Sequence, residues 1–324
     1  MTMDVSTRRD FLASGLALGA AALPVRALAA DGLTVVSTTG MIGDTARVIG
    51  GERVSARALM GPGVDPHSYR QTRSDIVAMA RADLVLWHGL GLEAQMVEFF
   101  AKLGETRNVR AVADGLPRDV LLEHPTYAGK ADPHVWMDPF IWAEVADAVA
   151  AALIDADPEG EAEYLARAGA FGTELAALGA YGEEIVASVP EESRVLVTAH
   201  DAFGYFGRRY GFEVLGIQGI STESEAGLNR ISELVDVLVD RQIGAVFVET
   251  SVSDRNMRAL VEGAAARGHE VAIGGSLFSD AMGAPGTYEG SYVGMIDHNV
   301  TTIAAALGGR VPDGGMQGRL SGEG

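Results

Sequence analysis

Two copies of the tripeptide Asp-Pro-His stand out among the seven histidines of the sequence. The first copy ends in His67 and the second in His134. Proline fixes its own φ angle and biases the preceding residue towards extended backbone, so each tripeptide presents its imidazole from a stiff loop. A stiff loop suits a metal ligand, because little ordering remains to be done when the ion binds. The two tripeptides therefore predict two imidazole ligands.

Two further candidates follow predicted strands in the second half of the chain. His200 comes two residues after the predicted strand Val195–Thr198, and Asp280 follows a strand predicted to end at Ile273. Open α/β sheets bind their ligands at the carboxyl ends of parallel strands. The four side chains would then share one site, with two ligands from each half of the molecule. Taken alone, Asp280 also fits a helix cap.

The other polar candidates have simpler interpretations. Asp138 precedes a proline and a helical pattern, which predicts a cap. Four histidines show no partner at a ligand spacing and are predicted to be structural, namely His88, His124, His269 and His298. Four carboxylates are candidates to orient the imidazoles by a hydrogen bond to the ring nitrogen that does not bind the metal, namely Asp65, Asp132, Glu223 and Glu249.

Short β-branched runs alternate with longer helical patterns from residue 31 onwards. This alternation predicts an α/β fold with two lobes, each a parallel four-stranded sheet flanked by helices. Strands are predicted at Leu33–Ser37, Val54–Leu59, Leu84–Trp87 and Val109–Val112 in the first half. In the second half they are predicted at Val195–Thr198, Phe212–Leu215, Ala245–Val248 and Glu270–Ile273.

One long helical segment separates the two halves. Asp157-Pro158 fits a cap followed by proline in the first turn, and Val189-Pro190 ends the apolar pattern. About 30 residues at 1.5 Å each make a rigid rod of about 45 Å that joins the lobes. The predicted domains are an N-terminal lobe at 31–156, the linking helix at 157–190, a C-terminal lobe at 191–307 and a flexible tail at 308–324.

The first 30 residues have the features of an export signal. Arg8-Arg9 is a twin arginine, and the apolar stretch Leu12 to Leu23 is too short to span a bilayer. Ala27-Leu28-Ala29 has the small-x-small pattern of a cleavage site. Residues 1–30 are therefore predicted to be a twin-arginine signal peptide, and the mature protein is expected to be exported.

Composition excludes several classes of partner and chemistry. The 44 acidic residues outnumber the 25 basic ones, and a net charge of −19 repels phosphate backbones and anionic lipid surfaces. We therefore expect no nucleic-acid partner and no direct insertion into a membrane. The chain has no cysteine, which excludes disulfides, thiolate catalysis and thiolate metal sites. A metal ion would have to bind histidine, carboxylate or carbonyl groups.

Five segments together resemble one family: Asp65-Pro66-His67-Ser68-Tyr69, Asp132 to Pro139, His200 to Phe206, Gly219-Ile220-Ser221-Thr222-Glu223 and Leu277-Phe278-Ser279-Asp280. The sequence resembles, from about residue 32 to about residue 307, the periplasmic solute-binding proteins of zinc and manganese ABC transporters. In that family a long helix bridges two lobes. The resemblance implies a periplasmic monomer that is not an enzyme and passes one metal ion to a membrane permease. It also implies the metal ligands, which are His67, His134, His200 and Asp280.

These ligand types favour zinc over manganese. Three neutral imidazoles and one carboxylate suit tetrahedral Zn²⁺, whereas Mn²⁺ prefers more and harder oxygen ligands. Manganese members of the family tend to have glutamate where this chain has His200, although the histidine-rich loop of many zinc members is absent from residues 115–131. A bidentate Asp280 would admit manganese, and iron(II) is a third alternative. Protonation of the imidazoles is expected to release the metal below about pH 6.

Two other classes of function stay open. Three histidines with a carboxylate also build hydrolytic zinc sites, in which Glu223 or Glu249 would be the base, but the usual enzyme motifs are missing from the sequence. A binding protein for an organic solute would need aromatic side chains and arginine in its cleft, and aromatic residues make up only 6% of this chain.

Overall fold

The computed structural model describes residues 32–223 and 227–320. Within these two ranges, none of the helices combines the length and the apolar character needed to cross a bilayer. The signal peptide predicted at residues 1–30 lies outside the described residues.

Four parallel strands form the sheet of the N-terminal half, in the order β2-β1-β3-β4. The strands are β1 (Leu33–Ser37), β2 (Val54–Ala58), β3 (Leu84–Trp87) and β4 (Val109–Ala111). The helices of this half are α1 (Gly40–Gly50), α2 (Arg73–Arg81), α3 (Val97–Gly104) and α4 (Pro139–Ala156). Leu84, Val85 and Leu86 are all buried, since helices cover both faces of a parallel sheet. The predicted α/β class and the positions of these strands are confirmed.

Among its described residues, the C-terminal half has four strands that overlap the predicted ones, hydrogen-bonded as two parallel pairs, with β5 beside β7. They are β5 (Val195–Thr198), β6 (Glu213–Gly216), β7 (Ala245–Glu249) and β8 (Ala272–Leu277). Its helices are α6 (Gly204–Tyr210), α7 (Leu228–Asp240), α8 (Arg255–Ala266) and α9 (Tyr292–Ala306), with α5 between the halves.

The predicted end of the last strand is wrong by four residues. β8 continues from Ile273 to Leu277, and its pairing with β7 skips one residue at Gly274. Consecutive glycines usually indicate a turn, whereas here they form a bulge inside a continuing strand. Asp280 therefore lies three residues beyond the carboxyl end of β8, and His200 lies two residues beyond that of β5.

The helix between the halves is α5 (Glu161–Ala187), and a single 3₁₀ turn precedes it. Its 27 residues span about 40 Å, and it packs against α1, α4 and α9. Two of its glycines allow close approach of aromatic rings. A Cβ at Gly179 would lie 2.3 Å from the Phe140 ring, and one at Gly182 would lie 2.5 Å from the Tyr210 hydroxyl. Packing on both sides thus offsets the low helix propensity of these glycines.

The segment after Leu307 differs from the flexible tail that its glycine content predicts. As far as residue 320 it folds back onto α9, where the backbone N–H of Met316 donates to both oxygens of the buried Asp297 at 3.0 Å. Met316 and Leu320 pack against the main core. A buried carboxylate that needs donors is the physical reason for this order, and composition does not reveal it.

The largest cluster of buried apolar side chains contains residues from both halves of the chain. At its centre Trp142 of α4 stacks on Tyr292 of α9, with ring centroids 5.2 Å apart. The loops that carry the candidate ligands are therefore attached to one shared core.

Candidate metal centre

The four predicted ligands converge between the two halves of the molecule. The ligand atoms of His67, His134, His200 and Asp280 all lie within 4.8 Å of one another, and all four side chains are buried. His67 Nε2 is 3.2 Å from His134 Nε2. Asp280 Oδ1 is 3.5 Å from His134 Nε2, and its Oδ2 is 3.2 Å from His200 Nε2. This spacing fits atoms that surround one ion.

The two Asp-Pro-His tripeptides have the same local structure. In the first copy Asp65 Oδ1 accepts the backbone N–H of His67 at 2.8 Å. In the second, Asp132 Oδ1 accepts the backbone N–H of His134 at 2.9 Å. An aspartate that accepts the N–H two residues ahead forms a compact turn, and the proline between them limits the backbone further. The repeated sequence is therefore a repeated turn that presents an imidazole.

Carboxylates orient two of the three imidazoles. Asp132 Oδ1 lies 2.7 Å from Nδ1 of His134, and Glu249 Oε2 lies 2.5 Å from Nδ1 of His200. Because a carboxylate holds a proton on Nδ1, Nε2 is the nitrogen of each ring that faces the other ligands and would bind a metal ion. Glu249 Oε1 also accepts the backbone N–H of His200 at 2.9 Å.

Asp65 and Glu223, the other two carboxylates considered as partners of the imidazoles, have different contacts. Asp65 contacts the backbone of His67, and its second oxygen accepts the hydroxyl of Thr222 at 2.6 Å. Glu223 is exposed and accepts the side-chain amide of Gln95 at 2.5 Å. Of the four carboxylates, Asp132 and Glu249 are thus the two that contact a ligand imidazole.

Burial and charge act in opposite directions on the ligands. Burial lowers the pKa of His67 to about 4. Burial also disfavours a charged His134, but Asp132 and Asp280 outweigh it and raise its pKa to about 9. Despite burial, Asp280 and Glu249 raise the pKa of His200 well above its usual value. The imidazoles in turn hold the pKa of Asp280 well below its usual range, although burial opposes this. The carboxylates thus raise the proton affinity of two of the three imidazoles, and the imidazoles favour the ionised form of Asp280.

Two ligand atoms have unused bonding capacity. Within residues 32–223 and 227–320, His200 Nε2 and Asp280 Oδ1 are buried and have no hydrogen-bond partner of good geometry. Leaving such atoms unpaired in a protein interior costs free energy. A cation bound by both atoms would remove that cost, so the donor set fits a divalent metal ion.

Hydrogen bonds across the halves hold the two sides of the site together. The Trp136 indole N–H donates to the Ser279 carbonyl at 2.7 Å, next to Asp280. The Tyr205 hydroxyl donates to the Asp132 carbonyl at 2.7 Å and accepts the Leu122 N–H at 3.0 Å. Each bond joins a residue near one ligand to the opposite half.

The residues predicted to be structural have structural contacts. Asp138 caps α4, since its Oδ1 accepts the Phe140 N–H at 3.0 Å. His124, His269 and His298 each bond to nearby backbone. His88 is different, because it lies buried beside the site with Nε2 2.8 Å from the Pro133 carbonyl. The sequence has one signal for His88: it directly follows the strand Leu84–Trp87, and His200 lies two residues after a strand.

Comparison with known proteins identifies similar chains. The family model described as ZnuA, zinc-uptake complex component A, periplasmic, matches residues 35–306. The manganese-binding lipoprotein MntA of Bacillus subtilis is 47% identical over 276 residues, which cover 85% of this chain and 90% of that protein. The zinc-binding protein TroA of Treponema pallidum is 47% identical over 282 residues, with 86% and 90% covered. The solved structure of the periplasmic zinc-binding protein TroA from Treponema pallidum has a TM-score of 0.83 at 46% identity, with 85% of this chain and 99% of that chain covered.

Proposed function

The chain belongs to the family of periplasmic component A proteins of zinc-uptake complexes, and on that premise we propose that it captures one Zn²⁺ ion between its two lobes for an ABC transporter. His67, His134, His200 and Asp280 would hold the ion as cargo. The observation that carries this proposal is the buried set of three imidazoles and one carboxylate. The membrane permease would recognise the loaded protein and remove the metal.

The choice of zinc over manganese depends on ligand chemistry. The relatives do not decide it, because one named for manganese and one named for zinc are equally similar to this chain. Three neutral nitrogens and one carboxylate suit zinc, and zinc forms stronger complexes than manganese or iron(II) at such sites. Both oxygens of Asp280 face ligand imidazoles, so bidentate binding would be the route by which manganese is accepted.

Metal competition tests the proposal. The mature chain would be purified without added metal and titrated with Zn²⁺ and Mn²⁺ together, and bound metal would be counted by elemental analysis. We expect one zinc per chain, held against excess manganese. Preferential retention of manganese would assign the protein to manganese uptake. A lack of stoichiometric metal would instead favour an organic solute.

Acid is expected to weaken metal binding. With a pKa of about 9, free His134 carries a proton that the metal must displace, and the raised pKa of His200 acts in the same direction. Each displaced proton raises the Kd for Zn²⁺ about tenfold per pH unit of acidification. The Kd, measured against a chelator of known proton affinity, should therefore rise steeply from about pH 7.5 to about pH 5. An unchanged Kd over this range would contradict imidazole ligation.

The protein is a solute-binding component and not an enzyme, as its family shows. Both candidate bases of the hydrolase alternative have other contacts. Glu249 is bonded to Nδ1 of His200, and Glu223 lies exposed and bonded to Gln95.

We extend the proposal to export and assembly. The twin arginine at Arg8-Arg9 and the short apolar stretch after it support export through the twin-arginine route. The mature protein would act in the periplasm as a monomer, with the permease as its partner.

A further inference from the structure

A fully buried carboxylate lies near the metal centre without being a ligand. Glu93 has 0% exposure and accepts three hydrogen bonds. Its Oε1 accepts the hydroxyl of Thr38 at 2.6 Å and the backbone N–H of His88 at 2.8 Å, and its Oε2 accepts the Gly89 N–H at 3.3 Å. Burying a carboxylate is costly, so its hydrogen-bond partners must hold it firmly. Glu93 is neither one of the four proposed ligands nor a partner of a ligand side chain.

The first set of contacts leads from Glu93 to His134. Glu93 fixes the backbone of His88, whose Nε2 lies 2.8 Å from the carbonyl of Pro133, the residue before His134. A carbonyl can only accept, so the proton of the neutral ring is on Nε2. Burial lowers the pKa of His88 to about 3, which keeps the ring neutral. The ring also packs edge-on against Trp136, with centroids 5.1 Å apart.

The second set of contacts leads from Glu93 towards His67. The Thr38 hydroxyl donates to Glu93, and the Thr38 carbonyl accepts the backbone N–H of Met60 at 3.0 Å. Met60 lies at the start of the loop that follows β2 and carries His67. The same carboxylate is therefore connected to both histidine loops of the N-terminal half, through Thr38 to the start of the His67 loop and through His88 to the residue before His134.

From these contacts we infer that Glu93 and His88 are positioning residues of the metal centre. Glu93 holds Thr38, which bonds to the start of the His67 loop, and it holds the backbone of His88, whose ring bonds to the peptide carbonyl that precedes His134. The inference rests on the proposed function, because it concerns the geometry of the same site. A ligand set must be held within a fraction of an ångström by the residues behind it, and loss of such residues typically costs about 10- to 100-fold in metal affinity.

Cobalt tests the inference, since the visible absorption bands of bound Co²⁺ report the geometry of its ligands. In Glu93→Ala and His88→Phe, we expect the Co²⁺ bands to shift and the affinity to fall by at least about tenfold. His88→Phe keeps an aromatic ring beside Trp136 and removes only the donor. Glu93→Gln keeps an oxygen for Thr38 and His88, and His88→Gln keeps a donor for Pro133. These two conservative variants should restore most of the original spectrum.

Asp297→Ala is the matched control. Asp297 is also a carboxylate with 0% exposure, but its partners are Tyr288, Thr301 and Met316. It should destabilise the fold while leaving the Co²⁺ bands and affinity unchanged, which separates a general loss of stability from a change at the site.

The possible failures can be told apart. If the unmodified protein does not bind Co²⁺, the proposed function fails and this inference fails with it. If it binds Co²⁺ and the Glu93→Ala and His88→Phe proteins have the same spectrum and affinity, the inference alone is overturned. Should Glu93→Ala not fold, the comparison of His88→Phe with His88→Gln decides the question.

Discussion

Replacing Asp280 with alanine is expected to weaken zinc binding by more than about 100-fold, because loss of a residue behind a ligand already costs about 10- to 100-fold. Asp280 is the one carboxylate among the four proposed ligands, and its oxygens face His134 and His200 at 3.5 and 3.2 Å. Without it, three neutral imidazoles would hold a doubly charged ion in a buried site, with no anionic ligand in direct contact with the ion to offset the cost of desolvation. Competition against a chromophoric chelator would measure the change in Kd.

Two controls make this result specific to the ligand. Asp280→Asn keeps the shape of the side chain and removes its charge, so a similar loss of affinity would assign the effect to the anion. Asp297→Ala removes another fully buried carboxylate, whose partners are Tyr288, Thr301 and Met316, and should bind zinc normally. Zinc bound by Asp280→Ala with unchanged affinity would show that the ion is held elsewhere.

The proposed ligands could be identified from sequence because their signals are local. The Asp-Pro-His turn is encoded within three residues, so both copies predict an imidazole on a stiff loop without knowledge of the fold. His200 required one more step, namely that it follows a strand of a parallel sheet. Asp280 required the same step. The strand before it was predicted to end too early, but Asp280 still follows that strand because β8 continues through its glycines.

The residues behind the ligands could not be identified in this way, because their contacts depend on tertiary structure. Glu249 contacts His200 only because β5 and β7 lie side by side, since the two residues are 49 positions apart in the chain. The sequence cannot distinguish this carboxylate from Glu223, which the fold leaves exposed. His88 has no partner at a ligand spacing in the sequence, yet the fold places it against the carbonyl before His134. Spacing identifies ligands, whereas supporting residues follow from packing.

Replacing Trp136 with alanine should lower the free energy of unfolding by about 3–5 kcal/mol, the usual cost of removing a large aromatic side chain from a core. Trp136 has 0% exposure, and its ring lies 5.1 Å from those of both His88 and His134. Its indole N–H bonds to Ser279 in the opposite half, and its carbonyl accepts the Tyr292 hydroxyl at 2.7 Å. Urea unfolding of the metal-free protein would measure the loss.

Trp136→Phe separates the hydrogen bond from the packing. Phenylalanine keeps most of the apolar contact but leaves the Ser279 carbonyl without its indole donor, which should cost about 1–3 kcal/mol. Because Ser279 precedes Asp280, the zinc affinity should fall together with stability. Trp87→Phe is the control, since Trp87 is half-buried and stacks on Phe100 within one half of the molecule. If Trp136→Phe unfolds at the same urea concentration as the unmodified protein, the bond between the halves contributes nothing to stability, and the closure of the site must depend on Tyr205 and Thr222 instead.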